Sequence, residues 1–326
     1  MNRPWLLLPP NISHWLGPLL LKLISLFKRR PRNFNRPIEK MGLKFESPFG
    51  TAGGLDKSGK DLNMWSNWGA GFLEVGTFTP RPQSPNPGKI IDRNNEMQAL
   101  WNCMGFPNAG FKAAKPKIKS FKAKSKTPVF VNVGKNRDTP LDQASKDYVE
   151  GVHFFSDVAD AFVINISSPN TKDLRLLHEQ KNFRNFIGPI LEAALSLKRR
   201  IPLLIKISPD LDNEDFKDFV KRAFDLPIDG LILTNTTQFR PLGSSFPKKG
   251  GLSGAPLKDL SISKLKIARE ALGSSSNKCL ISVGGVLTPE EAVERLNLGA
   301  DLVQVYSGLI FYGPNLLIDS YKQVSN

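Results

Sequence analysis

The chain has 326 residues, 40% hydrophobic and 23% charged, which is enough apolar material for a sizeable core and excludes global disorder. That length fits two average domains, or one α/β barrel of about 250 residues with an extension. Two cysteines, Cys103 and Cys279, exclude a disulfide framework and a cysteine-built zinc site, and His14, His153 and His178 lack metal-ligand spacing, so no metal is expected.

The formal net charge is +15, and residues 1–40 hold eight Lys or Arg against one acid, so +7 of it lies at that end. Such a placement points to an anionic surface, either a membrane or a nucleic acid. Residues 16–27 are almost wholly apolar; Pro18, Lys22 and Ser25, with Arg29, fall on one strip at 3.6 residues per turn, which predicts an amphipathic helix with a wide apolar face. Ser13 is its expected cap, Lys28, Arg29 and Arg30 suit its C-terminal end, and Pro31 stops it. So short a run cannot cross a hydrocarbon core roughly 30 Å thick. The expected partner is therefore an anionic membrane surface, met in its interface by residues 12–30, and no nucleic acid. A helix packed on the main domain is the competing reading; a secretory signal is disfavoured because the charges follow the apolar run. Residues 31–40 read as a linker, dividing a 1–40 extension from a 41–326 main domain.

Beyond residue 41 one unit recurs: a short apolar run, a polar or Gly-containing turn, then a helix-compatible stretch. Eight strands are expected, at 49–52, 71–76, 129–133, 162–166, 203–207, 230–234, 279–283 and 302–306. Their continuous hydrophobicity suits parallel strands covered by helices, and the alternation predicts a closed (β/α)8 TIM barrel. Thr288, Pro289, Glu290, Glu291 and Gly299 mark one helix from cap to stop. Polar residues recur at the strand ends, among them Lys57, Thr77, Asn132, Asn165, Lys206 and Asn235, and a barrel gathers those ends on one face. Residues 238–251, rich in Gly, Ser, Pro and Lys, read as a mobile loop at the mouth.

Two nucleotide motifs fail. Residues 54–61 approach a P-loop but place Asp61 where a magnesium-binding hydroxyl is needed, and Glu74 replaces the third glycine of a fingerprint begun by Gly69 and Gly71. Longer strings remain: GGLDKSG at 53–59, EVGTFTPRPQ at 74–83, NCMGFPN at 102–108, NVGKN at 132–136, NISSPNTKDLR at 165–175, KISPDL at 206–211, TNTT at 234–237, GGLSGAPL at 250–257, then VGGV and VYSG. In this order, over residues 41 to 320, they resemble the dihydroorotate dehydrogenase family, in its quinone-linked, membrane-associated class.

The resemblance implies oxidation of dihydroorotate to orotate in pyrimidine biosynthesis, with FMN as cofactor and a membrane quinone as acceptor. It implies Ser168 as the base that takes the C5 proton, since the soluble class carries Cys there. A lone serine hydroxyl is a poor base, and Thr171 with a water is the expected relay. Pro169 biases Ser168 toward an extended backbone. Implied substrate contacts are Lys57, Asn102, Cys103, Met104, Gly105, Phe106, Asn165, Asn170, Asn235 and Thr236; asparagine both donates and accepts, as an imide edge requires. Implied FMN contacts are Gly53, Gly54, Lys57, Thr77, Asn132, Asn165, Lys206, Thr234, Ser253, Gly254, Gly284, Gly285, Tyr306 and Ser307. Phosphate in such barrels sits after strands seven and eight, where Gly284, Gly285, Ser307 and Gly308 lie. Cys103 departs from the family's usual Arg, and one clear N-terminal helix stands where two are usual. The expectation is a monomer, peripheral on the cytoplasmic face of a bacterial inner membrane, or on the mitochondrial inner membrane in a eukaryote. The alternatives are a tRNA dihydrouridine synthase, which would need a cysteine acid in the loop at 168, and a non-catalytic flavoprotein scaffold.

Overall fold

A computed structural model of the chain describes residues 3–27, 37–273 and 277–325. A 3-10 turn at Pro4–Leu7 leads into α1 (Pro10–Leu26). A hairpin follows, β1 (Ile38–Lys40) with β2 (Leu43–Phe45), so part of the expected linker is strand. Then come β3 (Phe49–Asp56), α2 (Leu62–Asn67), β4 (Leu73–Phe78), β5 (Ile91–Asn94), β6 (Ala99–Asn102), α3 (Phe111–Lys122), β7 (Val129–Val133), α4 (Ala144–Phe155), β8 (Ala161–Asn165), α5 (Gln180–Leu195), β9 (Leu203–Ile207), α6 (Asn213–Phe224) and β10 (Gly230–Leu233). The chain ends with β11 (Gly251–Gly254), α7 (Lys258–Leu272), β12 (Cys279–Val283), α8 (Pro289–Asn297), β13 (Leu302–Val305), α9 (Ser307–Phe311) and α10 (Leu316–Ser325).

Strands β3, β4, β7, β8, β9, β10, β12 and β13 close a parallel barrel in chain order, and each contains or overlaps one of the expected strands. Every residue of β7, β8, β9 and β12 is buried, because helices cover the outside and side chains fill the inside. The hairpin plugs the N-terminal end: Phe45 packs edge-on against Phe72 and Phe130. A three-stranded antiparallel sheet, β5, β6 and β11, stands beside the opposite end. It was not legible in the sequence, and it claims Gly251 from the expected loop. The Thr288 capping box and Pro289 start α8 as expected.

The N-terminal segment is fastened to the barrel. Trp5 Nε1 donates to the Ile310 carbonyl at 2.8 Å, and Arg93 of β5 donates to the Leu6 and Leu8 carbonyls and to Ser13 Oγ at 3.0, 2.8 and 3.0 Å. Ser13 lies inside the first turn of α1, whose N-cap is Pro9, so the expected serine cap is not formed. The polar strip is not one solvated face: Lys22 is exposed, whereas Ser25 is buried and Pro18 lines a cavity under the helix. Leu19, Leu20, Leu23, Ile24, Leu26 and Phe27 are left exposed, Phe27 at 90%. The expected charges at residues 28–30 and the stop at Pro31 lie outside the described residues. No helix of the described residues is long and apolar enough to cross a membrane.

His178, 3% exposed, anchors the 3-10 turn Leu174–His178 through Nδ1, 2.8 Å from the Arg175 carbonyl, and Phe219 meets its ring edge-on. Burial pulls its pKa from 6.5 to about 4. The unfolded chain therefore binds a proton that the folded chain refuses, and stability falls as pH drops from 6.5 toward 4. The expected loss is about 3 kcal/mol across that window. Urea titrations should show it in the parent and a smaller slope in His178→Phe; equal slopes would assign the loss to other groups.

Candidate active site

The C-terminal strand ends surround a cavity of about 1130 Å³, solvent at its mouth included. It brings together Gly53, Gly54, Lys57, Thr77, Asn102, Met104, Gly105, Phe106, Asn132, Asn165, Ser168, Asn170, Lys206, Thr234, Asn235, Thr236, Ser253, Gly284, Gly285, Tyr306 and Ser307, as expected from sequence. Cys103, Thr171 and Gly254 do not line it. Cys103 packs into an apolar cluster with Trp101, Phe246 and Leu252, and a Cβ at Gly254 would strike the Gln98 carbonyl at 2.0 Å.

Beneath the cavity floor lies Glu74, fully buried on β4. Its Oε1 accepts from Asn132 Nδ2 and, at 3.1 Å, from Lys206 Nζ; its Oε2 accepts from Gln304 Nε2 at 2.7 Å. Four strands thus contribute to one buried ion pair and its hydrogen bonds. Gly53 makes room for it, since a Cβ there would sit 2.1 Å from Glu74 Oε1. Asn132 Oδ1 and Gln304 Oε1 are buried without hydrogen-bond partners among the described residues. Glu74 and Gln304 were missed from sequence; an acid inside an otherwise apolar strand was the available signal for Glu74.

Lys57 follows β3 and donates to the Gly54 carbonyl at 2.7 Å. Burial pulls its pKa down to about 8, opposed by Asp56, so the ammonium stays charged at neutral pH. The asparagines form two couples across the cavity: Asn170 Nδ2 donates to Asn102 Oδ1 at 2.8 Å, and Asn235 Nδ2 lies 3.4 Å from Asn165 Oδ1 and 2.9 Å from Ser167 Oγ. Asn86, also missed, donates to the Asn170 carbonyl at 3.2 Å and steadies that loop.

Ser168 is buried, and the Asn170 N–H donates to its Oγ at 3.2 Å. Ser168 lines the cavity, and in this turn its Oγ accepts a hydrogen bond. Thr171 Oγ1 is buried without a partner among the described residues and makes no direct bond to Ser168. Near β12 and β13 the wall is backbone-rich. Gly284 and Gly285 have φ of 122° and 68°, and a Cβ on Gly285 would lie 2.5 Å from Lys258 Cα.

A second cavity of about 800 Å³ runs under α1 and shares Ile91, Leu100 and Tyr306 with the first. Its wall is largely apolar, including Trp5, Leu21, Met64 and Trp65, with Ser13, His14, Asp61 and Arg93 as polar points.

A family model described as dihydroorotate dehydrogenase matches residues 38–325. The chain is 40% identical over 301 residues to a dihydroorotate dehydrogenase (quinone) of Xylella fastidiosa, covering 90% of this chain and 84% of that one. To a protein of the same name from Thermus thermophilus it is 39% identical over 332 residues, covering 96% and 92%. It superposes on a crystal structure of DHODH from Eimeria tenella in complex with ferulenol with a TM-score of 0.86, at 31% identity over 97% of this chain and 90% of that one.

Removing Glu74 would leave Lys206 as an unpaired buried cation, which costs about 3–5 kcal/mol. Glu74→Ala should lower the thermal midpoint sharply, and Glu74→Gln by less. A midpoint within experimental error of the parent for the alanine variant would show that the pair does not hold the floor.

Proposed function

The chain belongs to the dihydroorotate dehydrogenase family, and from that premise we propose which of its residues hold FMN, which hold dihydroorotate, and which moves the proton. It is an FMN-dependent oxidoreductase that converts dihydroorotate to orotate, with a quinone as acceptor. The chemistry FMN supplies when bound is acceptance of the hydride from C6 of dihydroorotate and passage of the two electrons to the quinone.

The residues present fit that cofactor. The glycine-built wall at Gly284 and Gly285 suits close approach of a phosphate, with Ser253, Tyr306 and Ser307 beside it. Unpartnered Asn132 Oδ1 and Gln304 Oε1, the ammonium groups of Lys57 and Lys206, and Thr77 and Thr234 supply the mixed donors and acceptors that a flavin ring edge needs. Gly53 and Gly54 keep that floor low.

Ser168 is the base that takes the C5 proton. Ser168 lines the cavity, the Asn170 N–H stabilises charge growing on Oγ, and the serine proton passes to solvent by way of water, with the unpartnered Thr171 hydroxyl as relay, receiving one proton and giving up its own. Asn102, Asn165, Asn170, Asn235 and Thr236 grip the planar ring, and Lys57 neutralises charge beside it. The observation that carries the assignment is the cluster of these groups at the ends of several different strands around one cavity. The quinone approaches through the apolar second cavity, which meets the first at Tyr306. The exposed apolar face of α1 rests in the membrane interface and brings the mouth of that cavity to the lipid, with the monomer peripheral on the cytoplasmic face of a bacterial inner membrane.

Dihydroorotate added anaerobically should bleach the flavin, and a quinone should restore its colour where NAD and fumarate do not; absence of bleaching would sink the reading. Ser168→Ala should slow flavin reduction at least about 10²-fold with FMN retained. A near-parental rate in stopped flow would refute the base. Deleting residues 1–30 should abolish co-sedimentation with anionic liposomes; unchanged sedimentation would mean that α1 only packs on the barrel.

A further inference from the structure

Arg295 on α8 is a fully buried side chain that the reaction does not use. Its guanidinium makes four hydrogen bonds, all to neutral acceptors. Nη1 donates to Ser261 Oγ at 2.9 Å and Ser282 Oγ at 3.1 Å; Nη2 donates to the Gly284 carbonyl at 2.9 Å and the Lys258 carbonyl at 3.4 Å. Among the described residues no carboxylate forms an ion pair with it. Glu294, Glu291 and Asp259 act on it only from a distance, and burial lowers its pKa to about 10, which leaves it charged at neutral pH. A buried charge without a counter-charge is costly, and proteins keep one where an anion completes it.

The region that the Arg295 charge acts on follows from its partners. Gly284 and Gly285 line the main cavity; behind them a Cβ on Gly285 would strike the Lys258 backbone at 2.5 Å, and one on Gly284 would press on Leu257 and on Ser261 Cβ at 3.0–3.1 Å. Arg295 therefore sits directly behind the glycine wall. The cavity lining there, Ser253, Leu257, Gly284, Gly285 and Ser307, holds no charged side chain; the charged residues of the lining are Lys57 and Lys206. Lys258, on the same wall, is engaged by Glu291 Oε1 at 2.9 Å. A guanidinium bonded to the Gly284 carbonyl also polarises the Gly284–Gly285 peptide, so that the N–H of Gly285 becomes a stronger donor.

We propose that Arg295 is the positioning residue that makes this wall select a phosphorylated flavin over the same flavin without its phosphate. It acts from behind the backbone, by its field and by its hold on Gly284, without touching the ligand. The inference rests on reading Gly284 and Gly285 as the phosphate cradle.

The test is competition of riboflavin against FMN on the full-length protein, read as the ratio of the two flavins retained. The parent should prefer FMN strongly, Arg295→Met should lose about tenfold or more of that preference by weakening FMN alone, and Arg295→Lys should keep most of it. A parent without preference would overturn the cradle reading and this inference together. If the parent discriminates and Arg295→Met does so equally, or if Arg295→Met loses both flavins in proportion, the cradle stands and the role of Arg295 falls. Should Arg295→Met fail to fold, Arg295→Gln, which keeps amide donors toward Gly284 but removes the charge, is read in the same competition: a lost preference for FMN supports the role of the charge, and an unchanged preference overturns the proposal.

Discussion

One carboxylate inside the barrel, Glu74, sets the terms for everything above it. Placed in a low-dielectric interior, its charge is tolerable only with a cation and hydrogen-bond donors close by, and Lys206, Asn132 and Gln304 provide them from β9, β7 and β13. Because each donor is fixed to its own strand, satisfying the carboxylate also fixes the relative height of those strands and the orientation of two side chains that reach the cavity floor. Asn132 and Gln304 each give their amide nitrogen downward, which leaves their carbonyl oxygens without partners. The ion pair below therefore determines what the floor offers above.

The two cavities share a wall, so the site at the strand ends and the apolar space under α1 are built as one unit. They meet at Tyr306, Leu100 and Ile91, so the wall between substrate chemistry and the apolar channel is one side chain thick. That wall depends on the small β5–β6–β11 sheet, which supplies Ile91 and Leu100, and on Arg93, which ties the segment before α1 to the same sheet. The N-terminal segment is thus part of the second cavity and not an appendage to it.

The barrel was legible because its signal is physical and repeated: strands buried on both faces must be apolar throughout, and eight such runs with helix-compatible stretches between them admit few topologies. The site was legible for a related reason, since polar residues at strand ends gather on one face and their ordered strings resemble one family. What failed did so where three-dimensional neighbours decide. Strands of four residues with mixed polarity, as in β5, carry no period. Cys103 shares a string with cavity residues, yet alternation along an extended backbone turns it into the cluster around Trp101. Glu74 was read as a broken glycine motif, although an unsupported acid inside an apolar strand already required buried partners. Ser13 was read as a cap because nothing in the chain foretold that the helix would start at Pro10, which places Ser13 in its first turn with its hydroxyl facing Arg93, 80 residues away.

The close approach of Gly53 to Glu74 bears on how this lineage can drift. A methyl group at 53 collides with the carboxylate, and any shortening of residue 74 abandons Lys206 and empties the space that demanded glycine. Neither position can change first without a loss, although a paired exchange could restore the volume. Substitutions at 53, 74 and 206 should therefore travel together between distant relatives, and a homologue with a side chain at 53 should mark a branch whose barrel floor is built on a different ion pair or on none.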